Sequence, residues 1–334
     1  MNITLAHRDN FYSAMLSGEV RDLYYACVDN LSRGILTTRM RVSDPARVNG
    51  DMRLLTEAIL YGCPELFYVE QNIGIRSTGG GVELVFGDKY RGEDLRAMWL
   101  ELNREIDQAA AWLNELSDPY EKVDLLNTYL CARVAPEAST EGRYGDPYGA
   151  LVLGSARCEG YSKAAKMILD RVGIDSLIVC GEAMNEGQLI THSWNIVECG
   201  EGKYYHFDFS WNATRTHFSI PGQEYSFLDD ATAFVEHFPW HHYPACSDSS
   251  HTFWERHHGV VTYHSDLSRA DIVPFDNNYI AIVKLPEKLT EYELKDDVYT
   301  WMRDELAGGN FGSRFSYSYN SRLDLLIFYF INER

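Results

Sequence analysis

The sequence has no apolar run of about 18 residues, which is the length that a membrane-spanning helix needs. Its longest apolar stretch, Leu325 to Ile331, has the length of a single buried strand. The N-terminal residues also lack the apolar core and the small-residue cleavage pattern of a signal peptide. We therefore expect a cytoplasmic protein with no membrane partner.

Basic residues are scarce as well. The 334-residue chain carries 30 Lys and Arg against 49 Asp and Glu, which gives a formal net charge of −19. A negative field of this size repels phosphate backbones, so nucleic acid is excluded as a favoured partner, and neutral or basic peptides and proteins are the preferred substrates. The sequence contains no nucleotide-binding glycine motif and no Asp-rich calcium loop, and we expect no cofactor.

The chain has seven cysteines, and an odd number cannot all pair within one molecule. In the cytoplasm these thiols would stay reduced. Five of them lie in apolar surroundings and are expected to pack as small apolar residues: Cys27, Cys63, Cys131, Cys180 and Cys199. The sequence leaves two roles open for Cys246, packing as a small apolar residue or belonging to a functional site. The seventh, Cys158, stands in a different context.

The pattern of apolar residues divides the chain into three regions. Residues 1–118 predict an N-terminal α+β region, and residues 259–334 predict a C-terminal region with a helix over 291–306. Both outer regions follow a strand–helix–strand–strand order, and we expect them to pack together. Residues 119–258 predict a helix over 120–133 and a second helix, 158–172, packed on an antiparallel sheet. The fold class is therefore α+β with a central core and two small flanking units.

Cys158 follows small and polar residues and precedes a run of strong helix formers, in the sequence GSARCEGYSKAAKMIL. This pattern places Cys158 at a helix N-terminus. The helix dipole and the free N–H groups there stabilise a thiolate and lower the thiol pKa, as a nucleophile at neutral pH requires.

Two further residues fit the partners of such a thiolate. His192 begins a predicted strand and can accept the proton of Cys158. Asp208 lies in the next predicted strand, 204–209, beyond the turn Glu201-Gly202-Lys203, and can orient the imidazole. Taken singly, each residue is more often structural, but the order Cys, His, Asp in these contexts predicts a catalytic triad.

These segments resemble the transglutaminase-like family of papain-type thiol enzymes. The resemblance is carried by Gly149-Ala150-Leu151, ARCEGYSKAAKMIL, Gly173-Ile174, HSWNIV and KYYHFDFSW. It implies that the central core of the α+β fold is papain-like, with Cys158 as the nucleophile, His192 as the base and Asp208 as the orienting residue. It also implies an upstream polar or aromatic helper for the oxyanion, for which Tyr148 is the nearest residue. Trp194 and Asn195 resemble pocket supports beside His192.

A histidine-rich stretch, 234–258, is a competing candidate for a metal site. It contains His237, His241, His242, Cys246 and His251, followed by His257 and His258. Pro239 and Pro244 interrupt any helix there, and no paired CxxC or HExxH spacing occurs, so we expect no bound metal. The segment Tyr243-Pro244-Ala245-Cys246 resembles a structural tail of the same family.

Two hypotheses for the function follow. In the first, the protein is a thiol-dependent acyl-transfer enzyme acting on peptide or amide bonds, with hydrolysis by a cysteine peptidase or amidase favoured over transfer to an amine by a protein-glutamine transamidase. In the second, the scaffold is a non-catalytic binding module that recognises a peptide or a cell-wall fragment through its flanking regions.

Overall fold

A computed structural model describes residues 2–216, 220–256, 272–275, 278–285, 290, 296, 300 and 315–330. The architecture is α+β, with antiparallel sheets covered by helices. The predicted fold class is therefore confirmed. No helix in these described ranges has both the length and the apolar character to cross a membrane.

The N-terminal region builds a three-stranded antiparallel sheet, in the order β1-β3-β2, beneath several helices. Its elements are α1 (Phe11–Met15), α2 (Gly18–Ser32), β1 (Thr37–Arg41), α3 (Pro45–Gly50), α4 (Met52–Leu60), β2 (Val69–Thr78), β3 (Gly81–Asp88) and α5 (Leu95–Leu113). The strands and the long helix agree with the sequence pattern. The first two helices were not predicted, although α2 buries Val20, Leu23, Tyr24, Cys27, Val28 and Leu31 at regular helical spacing.

The central region combines short helices with a four-stranded sheet. Its elements are α6 (Pro119–Arg133), β4 (Ala135–Pro136), a 3₁₀ turn (Gly142–Gly145), α7 (Pro147–Leu151), β5 (Ser155–Ala156), α8 (Cys158–Arg171), β6 (Ser176–Asn185), β7 (Gln188–Glu198), β8 (Tyr204–Phe207), α9 (Phe209–Thr214), α10 (Asp230–Ala233), β9 (His237–Pro239) and α11 (Phe253–Arg256). The sheet order is β8-β7-β6-β9, and all three pairings are antiparallel. As predicted, α8 packs on this sheet, since Asn195 of β7 donates to the carbonyl oxygen of Ser162 at 3.1 Å.

One predicted strand is shorter than expected. The sequence suggested a strand over 204–209, but β8 ends at Phe207 and Asp208 is the N-cap of α9. The side chain of Asp208 accepts a hydrogen bond from the backbone N–H of Trp211, so the chain turns into a helix where the pattern predicted continued extension.

The described C-terminal residues form a third antiparallel sheet, in the order β10-β11-β13-β12. Its strands are β10 (Ile272–Phe275), β11 (Asn278–Lys284), β12 (Phe315–Asn320) and β13 (Leu325–Phe330). Leu325, Ile327 and Tyr329 share an apolar cluster with Phe253 and Trp254 of the central region. The predicted helix over 291–306 lies almost wholly outside the described residues, and contact between the two outer regions stays a prediction.

The central sheet leaves no room for a side chain at Gly181. A Cβ atom there would lie 2.4 Å from the carbonyl oxygen of Phe238 and 2.9 Å from the ring of Trp194. A real Cβ atom does not lie this close to other heavy atoms. Glycine at position 181 therefore allows both β9 and the indole of Trp194 to pack closely against β6.

We expect Gly181→Ala to destabilise the protein by about 2 kcal/mol, because β9 or Trp194 must move to admit the methyl group. Urea unfolding measures this change. Gly74→Ala is the matched control, since Gly74 also lies in a strand and its Cβ would meet the carbonyl oxygen of Val85 at an ordinary 3.5 Å. Equal stability of the two variants would contradict the close packing at Gly181.

Candidate active site

Cys158 is the first residue of α8, as the sequence predicted. Arg157 is the N-cap and makes no side-chain capping bond, so the first-turn N–H groups, which have no partner within a helix, remain uncapped beside the thiol. A Cβ on Gly160 would lie 2.8 Å from the carbonyl oxygen of Tyr144. The missing side chain at Gly160 therefore lets the preceding loop pack against the helix start.

His192 lies between the thiol and a carboxylate. It is a buried residue of β7, and its Nε2 is 2.6 Å from Oδ2 of Asp208. Its ring also lies beside the Cys158 thiol, close enough for the two groups to shift each other's pKa. Because Asp208 takes Nε2, the free nitrogen of the ring is Nδ1. The structure thus brings all three predicted residues together.

The charges around Cys158 and His192 favour a thiolate–imidazolium pair. Burial acts to raise the pKa of the Cys158 thiol, but the charge of His192 and its hydrogen bond outweigh burial, and the thiol pKa falls below its ordinary value. Burial acts to lower the pKa of His192, yet the charges of Asp208 and Cys158 raise that pKa to about 10. The two groups therefore stabilise each other's charged forms.

Asp208 carries a buried negative charge that four donors stabilise. Oδ2 meets the Nε2 atoms of His192 and His237 at 2.6 and 3.1 Å. Oδ1 accepts from Oγ of Ser210 at 2.7 Å and from the backbone N–H of Trp211 at 3.0 Å. Burial acts to raise the pKa of Asp208, but the charge of His192 and these hydrogen bonds hold it well below its usual range. The carboxylate stays ionised across the pH range of a folded protein.

The histidine-rich stretch does not gather into one site. His237 contacts Asp208, whereas His241 contacts Oε2 of Glu57 at 2.7 Å. His251 stacks on Tyr120 with ring centroids 3.9 Å apart. The remaining pair named by the sequence, 257–258, lies outside the described residues. Of this stretch, His237 joins Asp208, whereas the sequence pattern marked it only as a candidate metal ligand.

A second Cys–His–Asp set lies beside the first. His206 Nε2 is 2.8 Å from Oδ1 of Asp230, and the ligand-type atoms of these residues and of Cys246 lie within 4.8 Å of one another. Trp194 donates its indole N–H to Nδ1 of His206 at 2.9 Å, and an indole can only donate. His206 is therefore neutral, with its proton on Nε2 and directed at Asp230. A metal ion bound to Nε2 would take the place of that proton. The ring proton would then lie on Nδ1, where it would face the indole N–H of Trp194 with no acceptor between the two donors.

The predicted supporting residues have distinct roles. Trp194 is buried and lies stacked near His192, with ring centroids 6.1 Å apart, as expected for a neighbour of the base. Asn195 joins β7 to α8 through Ser162. Tyr148 donates its hydroxyl hydrogen to Oε2 of Glu101 at 2.7 Å, so the predicted help to an oxyanion would require that bond to break.

The N-terminal region reaches the nucleophile through Glu159, which the sequence analysis did not single out. Tyr61 and Gln71 both donate to Oε1 of Glu159, at 2.9 and 2.6 Å, and Arg157 contacts Oε2 at 3.4 Å. Burial acts to raise the pKa of Glu159, but Lys163 and these donors lower it below its ordinary value. Glu159 is therefore a charged neighbour of Cys158 whose charge these donors and cations partly offset.

A family model matches part of the chain. Residues 107–209 match the model of the transglutaminase-like superfamily, and this segment contains Cys158, His192 and Asp208. The match covers less than a third of the chain. It begins inside α5, where Asn103 and Asp107 accept hydrogen bonds from Arg171 of α8.

Solved structures similar to this chain are distant. One is a TGase, with 13% identity and a TM-score of 0.31, covering 52% of this chain and 50% of that one. A candidate cysteine protease from Cytophaga hutchinsonii has 9% identity and a TM-score of 0.28, covering 42% and 61%. The periplasmic domain of TgpA from Pseudomonas aeruginosa has 17% identity and a TM-score of 0.26, covering 39% and 54%. No curated protein matches the chain.

Cys158 is expected to be the most reactive thiol of the protein. Burial raises the pKa of the other six, to about 12 in Cys27, Cys63 and Cys131. With iodoacetamide near pH 6, Cys158 should react at least about tenfold faster than Cys131, the other half-buried thiol, as mass spectrometry would show. His192→Ala should remove this advantage. Equal rates at both thiols would contradict the thiolate–imidazolium pair.

Glu159 should tune the pH at which this reaction begins. Its negative charge raises the thiol pKa of Cys158, so Glu159→Gln should move the acid limb of alkylation down by roughly half a pH unit. Tyr61→Phe removes a donor to Glu159 and should move the limb up. Glu121→Gln is the matched control, because Glu121 also lies in the first turn of a helix. A shift in the control, or none at Glu159, would contradict this effect.

Proposed function

We propose that the protein is a thiol-dependent acyl-transfer enzyme that acts on peptide or amide bonds, with hydrolysis as the favoured outcome. The observation that carries the proposal is the arrangement of Cys158, His192 and Asp208, in which the thiol pKa is lowered and the imidazole pKa is raised. Such a pair supplies both the nucleophile and the general acid that cleavage of an amide requires.

The first half-reaction follows from the positions of the protons. The Cys158 thiolate attacks the carbonyl carbon of the amide, forming a C–S bond and a tetrahedral oxyanion. The first-turn N–H groups of α8 adjoin Cys158 in the sequence, and they are the donors that we propose for that oxyanion. As the C–N bond breaks, the imidazolium of His192 gives its Nδ1 proton to the leaving nitrogen, which departs as ammonia or an amine.

The second half-reaction restores the thiol. Neutral His192 takes a proton from water while the hydroxide equivalent attacks the thioester, and the C–S bond breaks to give a carboxylic acid and Cys158. Asp208 stabilises each imidazolium that forms. A primary amine in place of water would give a new amide, and we favour water because no feature of the described site selects an amine.

Two cavities are lined in part by direct neighbours of the nucleophile and of the base, and we propose them as the substrate-binding surfaces. One, of about 550 Å³, includes Gln71, Lys89 and Arg157 beside the nucleophile turn. The other, of about 510 Å³, includes Trp211, whose ring lies 5.0 Å from that of His192, and the C-terminal turn 319–322. Both outer regions thus contribute to the surroundings of the site. With a net charge of −19, neutral or basic peptides are the favoured substrates.

Amide cleavage should have a bell-shaped pH dependence. Activity should fall in acid as the Cys158 thiolate is protonated, and fall above about pH 10 as His192 loses the proton that the leaving group needs. A glutamine-containing and an unmodified basic peptide would be assayed for ammonia release and for chain cleavage, with incorporation of a fluorescent amine measured in parallel.

Cys158→Ala should abolish product formation, whereas Cys131→Ala should retain it. Ammonia or new peptide termini without amine incorporation would support the hydrolase, and amine incorporation would identify a transamidase. A wild-type protein that alkylates rapidly yet binds these peptides without turnover would overturn the enzyme proposal and favour the binding module.

A further inference from the structure

His237 shares the carboxylate oxygen on which the catalytic proposal depends. Its Nε2 is 3.1 Å from Oδ2 of Asp208, the atom that also meets His192. The ring centroids of the two histidines are 5.6 Å apart, and both side chains are buried. No group outside the chain is needed to explain this arrangement, because two N–H donors can occupy the two lone pairs of one carboxylate oxygen.

The fold places His237 there through the edge of the central sheet. Strand β9 pairs with β6, with Ala183 opposite His237 and Gly181 opposite Pro239. The backbone N–H of Met184 donates to the carbonyl oxygen of Glu236 at 2.8 Å and continues this pairing. The bare Cα of Gly181 permits the close approach. A strand of three residues thus delivers one side chain to Asp208.

The surroundings of His237 keep it neutral. Burial lowers its pKa, and the hydrogen bond to Asp208 offsets this only in part. The rings of Trp211, Trp194 and Tyr225 lie 4.6, 4.8 and 5.7 Å away. The titratable groups that face His237 are Asp208, His192, His206 and Tyr225, with Glu236 next to it in the chain. Neutral His237 can give one proton to the hydrogen bond and adds no charge that would repel the imidazolium of His192.

We propose that His237 is a positioning residue that holds Oδ2 of Asp208 in place and thereby orients His192 toward Cys158. This inference rests on the proposed function and deepens it. Ser210 and Trp211 restrain only the other carboxylate oxygen, Oδ1. Without His237, Oδ2 would have His192 as its one described donor, and the two bonds to Oδ1 alone would oppose rotation of the carboxylate about its Cβ–Cγ bond, a rotation that would carry His192 with it.

The experiment compares two substitutions at His237. His237→Leu removes the donor and should lower kcat by about tenfold with little change in KM, because the substrate does not touch this residue. His237→Gln places an amide N–H near the position of Nε2 and should restore most of the rate. His241→Leu is the matched control, since it removes a second histidine–carboxylate contact, the partly buried one to Glu57, without touching the triad.

A double-mutant comparison separates positioning from a merely structural role. If His237 acts through Asp208, then His237→Leu should cost little further rate in an Asp208→Asn background. If it only supports the fold, the cost should be the same in both backgrounds and should follow the loss of thermal stability. The same variants would be alkylated with iodoacetamide across pH, and His237→Leu should move the acid limb upward while His241→Leu leaves it in place.

Failure of this inference is distinguishable from failure of the proposed function. Consider a wild type that is active and loses this activity in Cys158→Ala. Equal kcat values in His237→Leu, His237→Gln and the wild type would then overturn the role of His237 and leave the enzyme proposal intact. Additive costs, or no rescue by glutamine, would overturn it as well. If the wild type has no acyl-transfer activity, the alkylation profiles still decide whether His237 acts on the Cys158–His192 pair.

Discussion

The buried charge of Asp208 is the constraint on which the rest of the site depends. A carboxylate removed from water is expensive unless donors and an opposite charge replace the water. Here β7 supplies His192, β9 supplies His237, and the first turn of α9 supplies Ser210 and the N–H of Trp211. The charge is therefore stable only when these separate elements are correctly packed, and it ties the chemistry of Cys158 to the assembly of the whole sheet.

Much of the site could be predicted because its signals are local. A cysteine followed by helix formers, and His and Asp near a predicted hairpin, were enough to place three residues that the structure brings together. Asp208 was assigned to a strand because its neighbours are aromatic and extended, whereas its own side chain caps a helix and ends β8. A periodicity argument assigns a residue from its neighbours and does not anticipate a capping bond.

What sequence could not supply is pairing at long range. His237 lies 29 residues from Asp208, beyond several turns, and only the register of β9 on β6 brings them together. The contacts of Tyr61 and Gln71 with Glu159 span 98 and 88 residues. Nothing local marks such partners. Helix α2 differs from these partners, because its buried residues follow a regular helical period that is visible in the sequence.

Trp194 has a consequence for where protons can travel. It lies between two His–Asp pairs, stacked near His192 on one side and hydrogen-bonded to His206 on the other. A proton wire needs every link to accept as well as donate, and an indole N–H only donates. Among the described residues, Trp194 therefore gives a proton no path from His192 to Asp230, and the two His–Asp pairs titrate without exchanging protons through the indole.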